Sequence, residues 1–103
     1  MSTGRPPGND VERVVAIVWS EFLDEPVTDV TTSIFALGAH SLAITRCVAR
    51  LQELFGVQLG TAPFFEHPTI DRFAEALANG PGGRRVTRRA AVLAHVLQES
   101  NAG

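Results

Sequence analysis

The sequence predicts an all-α fold: a small bundle of three main helices plus one short helix, with a long loop between the first two. Two features predict it. Apolar residues recur at helical spacing in three stretches, and no stretch shows the alternation of apolar and polar residues that is typical of a strand. With 103 residues and 45% hydrophobic content, the chain forms one domain at most, with a core of adequate but limited size.

The first helix is predicted to begin at Asn9, whose side chain can cap it, with Glu12 three residues later in a variant of the capping box. Its apolar face follows the helical rhythm and comprises Val11, Val14, Val15, Val18 and Phe22. Pro26 indicates that the helix ends near Leu23. Residues 1–8 are polar with Gly and Pro, and are predicted to form a flexible arm.

A long loop is predicted from Asp24 to His40, because this segment contains several threonines and no helical period. Loops of this length in compact domains are uncommon and often functional. Three apolar residues are expected to pin the loop to the core, namely Ile34, Phe35 and Leu37. The second helix begins at about Ser41 and ends at Gly56. Its apolar set comprises Ile44, Cys47, Val48, Leu51, Leu54 and Phe55.

The stretch TAPFFEHPT, residues 61–69, is typical of a short turn of helix that stops before Pro68. The last core helix has Thr69 as its expected cap and ends at Asn79-Gly80. Its apolar face comprises Ile70, Phe73, Ala74 and Leu77. The predicted domain therefore covers residues 9–80.

Residues 81–103 are predicted to form a basic linker and a possible tail helix, since GPGG at 80–83 is typical of a linker. One face of that helix would comprise Val92, Leu93, Val96 and Leu97. Its charges oppose the helix dipole, with arginines at the start and Glu99 near the end, and each costs about 0.3–1 kcal/mol. We therefore expect the tail to fray unless it packs on something.

The net charge of −2 conceals an asymmetry, because residues 1–80 carry ten acids and five arginines, whereas residues 81–103 carry four arginines and one acid. The two parts are expected to act differently. No apolar run approaches the roughly 18 residues of a membrane span, and the first residues lack the apolar stretch of a secretory signal. The single cysteine, Cys47, suits a reducing compartment. A cytoplasmic protein without membrane contact is expected.

Neither catalysis nor metal binding finds support in the sequence. Ser41 and His40 are sequence neighbours, and neighbouring side chains on a helix do not face each other, so they form no pair of nucleophile and base. The histidines His40, His67 and His95 fall on three separate predicted elements. The chain is predicted to be no enzyme, with no catalytic residue and no metal.

Ser41 lies in FALGAHSLAIT, residues 35–45, where the loop meets the second helix. A helix N-terminus presents free N–H groups and a partial positive charge, which favour an attached phosphate. Gly38 lets the loop turn tightly in front of the serine. Spacing alone leaves two roles open, which can coexist: Ser41 caps the helix, or it anchors a phosphodiester.

SIFALGAHSLAITRCVARLQELFGVQL followed by FFEHPTIDRFAEAL resembles the thiolation, or peptidyl carrier, domains of nonribosomal peptide synthetases, which belong to the phosphopantetheine-binding, acyl-carrier-like family. The family signature is phenylalanine, one residue, then Leu-Gly-Gly-His/Asp-Ser-Leu, with Phe-Glu-x-Pro-Thr-Ile further along. Both halves are present in order, and the resemblance covers about residues 9–80. The sequence departs from the family at Ala39, where a second glycine is usual, and at Thr32, where aspartate is common.

The resemblance implies that a phosphopantetheinyl transferase moves 4′-phosphopantetheine from coenzyme A onto Ser41, with Gly38 and His40 beside it. An adenylation enzyme would load the new thiol with an amino or aryl acid as a thioester. Condensation, tailoring or thioesterase enzymes would then receive the acyl group in the biosynthesis of a nonribosomal peptide such as an antibiotic. Histidine before the serine resembles the peptidyl type; an acyl carrier of a polyketide or hybrid pathway stays the alternative.

Partner contacts are expected beside the attachment site, at Leu42 and Ala43, at Arg46 on the exposed face of the second helix, and at Phe65. The initial Met and the lack of a flanking catalytic domain favour a free-standing carrier, and a segment excised from a synthetase module stays the alternative, since a fragment can also start with Met. The carrier is expected to be a monomer. Two other interpretations rest on RRVTRR, residues 84–89. In the first, the chain is a small helical DNA-binding protein, since basic clusters contact phosphates; the excess of acids before residue 81 opposes this interpretation. In the second, the tail that contains these arginines docks to one particular partner.

Overall fold

The structure, a computed structural model, describes residues 4–23 and 26–102, with side chains as far as residue 98. These residues form five helices: α1 (Asp10–Leu23), α2 (Ser41–Phe55), α3 (Ala62–Glu66), α4 (Ile70–Asn79) and α5 (Gly83–Ala102). The described ranges contain no strand, only an isolated antiparallel bridge between Ser33 and Thr69. The predicted all-α bundle is confirmed. The ends of two predicted segments, residues 1–3 of the arm and 24–25 of the loop, and the charge of Glu99 lie outside the described residues and side chains.

Helix α1 begins where the sequence predicts, because Asn9 Oδ1 accepts a hydrogen bond from Glu12 N at 2.9 Å. The carboxylate of Glu12 departs from the expected capping box. It accepts from Gly8 N at 2.8 Å and from the guanidinium of Arg5. Residues 4–8 are therefore held by hydrogen bonds, which corrects the prediction of a flexible arm for this part of the chain.

The core is centred on α1, and its valines are buried as predicted, whereas Phe22 is only partly buried. Trp19 is fully buried and meets the ring of Phe64 edge-on, with 5.0 Å between ring centroids. Phe64 in turn stacks on Phe73, with 3.9 Å between centroids. This aromatic series fixes α3 between α1 and α4. Of the two adjacent phenylalanines, Phe64 therefore lies in the core, whereas Phe65 is exposed.

The long loop is tied to the bundle at Ile34, which is buried and whose N–H donates to Pro68 O at 2.8 Å. Leu37 is half-buried against the core. The prediction that Phe35 also pins the loop to the core is wrong, because its side chain is exposed. The N–H groups of Ala36 and Leu37 donate to the carbonyl oxygens of Ser33 and Ile34, so the chain turns tightly at this point.

Helix α5 packs along the bundle, chiefly against α1 and also against α4 and α2. The face it buries comprises Val86, Ala90 and Ala94, with Leu93 and Leu97 partly buried. Of the four residues predicted to form one apolar face, only Leu93 and Leu97 pack against the core, because Val92 and Val96 are 63% and 48% exposed. The approach at the start of α5 requires glycine, because a Cβ on Gly83 would lie 2.0 Å from Ala78 O.

Candidate functional site

Ser41 is the first residue of α2, and its side chain is exposed. The residue that precedes the helix is His40, whose backbone is extended and whose Nδ1 accepts from Ala43 N at 3.5 Å. The interpretation of Ser41 as a helix cap is therefore wrong, because His40 holds that position. No group among the described residues hydrogen-bonds the Ser41 hydroxyl, while Ser41 O accepts from Thr45 Oγ1 at 2.9 Å.

The electrostatics at this end of α2 favour an anion. The first N–H groups of a helix have no partner within it and carry a partial positive charge. The first turn of α2 contains no acidic residue that would neutralise this charge. A phosphate attached to Ser41 Oγ would therefore be stabilised by the helix that carries it.

Gly38 makes the turn that precedes the serine, with φ at +91°. A Cβ at this position would meet no atom within 4 Å, so the backbone conformation, and not the available space, requires glycine. The next residue, Ala39, packs against the core, and its N–H donates to Ile34 O at 3.1 Å. The loop thus accommodates alanine where the resemblance leads one to expect a second glycine.

Large apolar side chains are exposed on either side of Ser41 in the sequence. Phe35 and Phe65 stack on each other outside the core, with 5.8 Å between ring centroids and 27° between ring planes. Leu42 and Phe65 are each 55% exposed and Phe35 is 43% exposed. Exposed apolar residues of this size are typical of contact sites. The exposure of Phe35 was not predicted, because its apolar side chain indicated a place in the core and no local pattern reports its contact with Phe65.

The two remaining predicted contact residues, Ala43 and Arg46, differ in their exposure. Arg46 is exposed one helical turn after Leu42, so the two share a face. Ala43 is only 4% exposed and packs inward, which corrects the expectation that it contacts a partner. Arg50 is half-buried, and its Nη1 lies 3.8 Å from Glu53 Oε1, a contact that is worth little at the surface.

Cys47 lies on the inner face of α2 and is fully buried. Burial raises the pKa of its thiol to about 12, and the charge of Glu21 adds to the rise. Among the residues that the structure describes, no three His, Cys, Asp or Glu side chains form a group that could hold a metal ion. In the same part of the chain, no helix is both long and apolar enough to span a membrane.

We expect a thiol reagent at pH 8 to leave Cys47 of the native chain unmodified and to react with it after unfolding in guanidinium chloride. A raised pKa leaves less of the reactive thiolate at a given pH, and burial blocks access. The reagent is one that releases a coloured thiolate when it reacts, and the measurement is the absorbance of that product, with Cys47→Ala as the control. Stoichiometric reaction of the native chain within minutes would contradict the burial of this side chain.

Residues 13–77 match the family described as "Phosphopantetheine attachment site". The match covers more than half of the chain and includes α2, α3, the loop between α1 and α2, and most of α1 and α4. The chain belongs to this family. It is a non-catalytic carrier for a covalently attached phosphopantetheine.

Similar sequences specify the type of carrier. The chain is 41% identical over 80 residues to one of the proteins that make up the linear gramicidin synthase of Brevibacillus parabrevis, covering 74% of this chain and 1% of that protein. It is 35% identical over 74 residues to surfactin synthase subunit 3 of Bacillus subtilis, covering 72% and 6%. The chain therefore spans only a small part of the curated relatives it matches. It is a carrier protein of the nonribosomal peptide synthetase type.

Solved structures show the same fold. The structure of McyG A-PCP complexed with phenylalanyl-adenylate superposes with a TM-score of 0.69 at 35% identity, covering 73% of this chain and 12% of that one. A peptidyl carrier protein in complex with coenzyme A and the phosphopantetheine transferase Sfp gives a TM-score of 0.70 at 26% identity, covering 74% and 99%. The family match ends before α5, so this helix is an addition to the matched region.

Proposed function

We propose that Ser41 is the residue that receives 4′-phosphopantetheine. In the active site of a phosphopantetheinyl transferase, Ser41 Oγ loses its proton to a base of the transferase and attacks the phosphorus of coenzyme A that bears the pantetheine. The P–O bond of the diphosphate breaks, adenosine 3′,5′-bisphosphate leaves, and Ser41 Oγ holds the new phosphodiester. The observation that carries this proposal is the exposed hydroxyl at the first residue of α2, which no described group engages. Gly38 and His40 turn the chain into the helix beside it.

The protein contributes position and recognition, while the thiol chemistry belongs to the attached arm and to the partner enzymes. Because the phosphate sits at the positive end of α2, the arm begins at the surface, away from the buried face of the helix. A tethered thioester reaches each partner at an effective concentration set by the length of the arm rather than by bulk solution. Cys47 is no acyl acceptor, because it is buried with a raised pKa.

We propose that the arm carries an amino or aryl acid, which an adenylation enzyme loads and which condensation, tailoring or thioesterase enzymes receive. The exposed face of α2 supports a peptidyl carrier, since it presents Arg46 and no acid in its first turn. We further propose that the carrier works as a cytoplasmic monomer with separate partner enzymes. The single buried cysteine, which suits a reducing compartment, supports the location.

The test is the intact mass of the native chain after incubation with coenzyme A and a broad-specificity phosphopantetheinyl transferase. We expect a gain of one phosphopantetheine per chain. An adenylation enzyme is then added as a separate protein, with ATP and a panel of amino, aryl and malonyl-type acids. The mass of the acyl group that becomes attached shows which class of acid is loaded, and loading at all shows that the carrier works with a separate enzyme. An unmodified native chain would overturn the attachment proposal.

We propose that the partner surface comprises Leu42, Arg46 and Phe65, with Phe35 added from the structure. We expect Phe35→Ala and Phe65→Ala each to raise the KM of the transferase for this carrier about fivefold, which corresponds to the loss of about 1 kcal/mol from an aromatic contact. The melting temperature should change little, because both rings lie outside the core. Val92→Ala, which removes an exposed apolar side chain from α5, is the matched control. Equal KM values for all three variants would contradict this surface.

A further inference from the structure

Arg5 forms a two-pronged ion pair with Glu12 at the start of α1. Its Nη1 and Nη2 donate to the two carboxylate oxygens of Glu12, each at 2.8 Å. The Glu12 side chain is only 5% exposed, and its Oε1 also accepts from Gly8 N at 2.8 Å. The hydrogen bond from Arg5 is the main cause that lowers the pKa of Glu12. A charged group buried in this way requires its partner, so residues 4–8 are anchored firmly to α1.

The backbone of Arg5 is bonded to the long loop. Arg5 N donates to Asp29 Oδ1 at 3.1 Å, and Arg5 O accepts from Val30 N at 2.9 Å. The Asp29 carboxylate also accepts from Thr31 and Thr32, so it organises the turn that follows. One residue therefore joins the start of α1 to the beginning of the loop that leads to Ser41.

From this point the loop continues along the start of α4. Val30 O accepts from Asp71 N at 3.0 Å, and Ile34 N donates to Pro68 O at 2.8 Å. Both Val30 and Ile34 are buried. The loop is thus held between Arg5 on one side and α4 on the other, immediately before the turns that lead to Ser41.

We propose that Arg5 is a positioning residue for the modification of Ser41. It holds residues 29–34 in one arrangement, and this arrangement positions the turn before Ser41 so that the transferase can bind it. This inference rests on the proposed attachment at Ser41. When residues 4–8 are released from α1, the loop samples other arrangements. The apparent affinity of the transferase then falls in proportion to the fraction of molecules whose loop still has the arrangement that the transferase binds.

The experiment measures KM and kcat of the transferase for Arg5→Ala, Arg5→Lys and Arg13→Ala. Arg13 is the matched control, because it forms an ion pair of the same length with Asp10, 2.8 Å, within α1 alone. We expect Arg5→Ala to raise KM about fivefold with kcat nearly unchanged, Arg5→Lys to restore part of the loss, and Arg13→Ala to have no effect. Amide exchange at Val30 and Asp71 should accelerate in Arg5→Ala, to a smaller extent in Arg5→Lys, and not in Arg13→Ala.

Fluorescence of Trp19, the only tryptophan, verifies that each variant is folded at the assay temperature. If Arg5→Ala unfolds, Asp29→Asn must show the same rise in KM, because it weakens the loop side and keeps the Arg5–Glu12 pair. Equal KM values for Arg5→Ala and Arg13→Ala, with a wild-type chain that is modified, would overturn the positioning role alone. A wild-type chain that accepts no phosphopantetheine would instead overturn the proposed function.

Discussion

Replacing Ser41 with alanine is expected to abolish the transfer of phosphopantetheine to this chain while leaving its stability nearly unchanged. The hydroxyl is exposed and makes no hydrogen bond with a described residue, so the fold loses no contact when it is removed. The helix also keeps the contact that caps its first turn, since His40 accepts from Ala43 N. Intact mass after incubation with coenzyme A and the transferase measures the first effect, and thermal unfolding measures the second.

The matched control is Ser33→Ala. Ser33 lies in the same loop, is half-buried, and its Oγ accepts from Phe35 N at 3.2 Å. We expect this variant to be modified as fully as the native chain. A thiol assay gives a second readout: after modification the native chain should show one reactive thiol, that of the arm, and Ser41→Ala should show none, because Cys47 is buried. An adduct on Ser41→Ala would place the attachment elsewhere.

The predicted helices were located well because α1, α2 and α4 each bury one face against a common core. Apolar spacing reports such a face directly, as the buried set of Ile70, Phe73, Ala74 and Leu77 in α4 shows. The glycine at the end of α2 was equally readable, since Gly56 adopts the left-handed conformation with φ at +66°. The position of Ser41 at the start of α2 followed from the same pattern.

What the sequence did not reveal depends on contacts between distant residues. Neighbouring residues compete for the capping position, and only the structure shows that His40 precedes the helix and frees Ser41. Phe35 stacks on Phe65, thirty residues away along the chain, and no local pattern reports that contact. In α5 the small side chains of Ala90 and Ala94 are buried in preference to the larger Val92. Close packing between helices, rather than hydrophobicity alone, decides that choice.

Removal of α5, by ending the chain at Gly80, is expected to lower the free energy of unfolding by at least about 3 kcal/mol. The helix buries Val86, Ala90 and Ala94 against a core that would otherwise be open to water. For a domain of this size the melting temperature should fall by more than about 10 °C. Thermal unfolding followed by Trp19 fluorescence measures the change. A truncated chain that keeps both its stability and its modification rate would show that α5 is no part of the fold.

The arginines of α5 have a specific role in this packing. Helix α2 has no basic residue in its last turn. Arg85 Nη1 instead donates to Gly56 O at 3.0 Å and Arg89 Nη1 donates to Leu54 O at 3.3 Å, so α5 supplies positive charge to the C-terminal carbonyls of the helix that carries Ser41. Such contacts complement the helix dipole. Two of the four arginines in RRVTRR are therefore engaged within the chain.

The double variant Arg85→Ala/Arg89→Ala should lower stability by about 1 kcal/mol. Arg84→Ala/Arg88→Ala is its matched control, because it removes the same charge from exposed residues that bond to no described group. If the tail bound DNA, the exposed arginines would instead matter: the chain would be retained on DNA in a salt-dependent manner, and Arg84→Ala/Arg88→Ala would weaken this retention while Ser41→Ala would not. If the tail docked to one partner, truncation would slow transfer to that partner alone and would leave the free energy of unfolding unchanged. Equal stability of the two double variants would contradict the capping of α2 by α5.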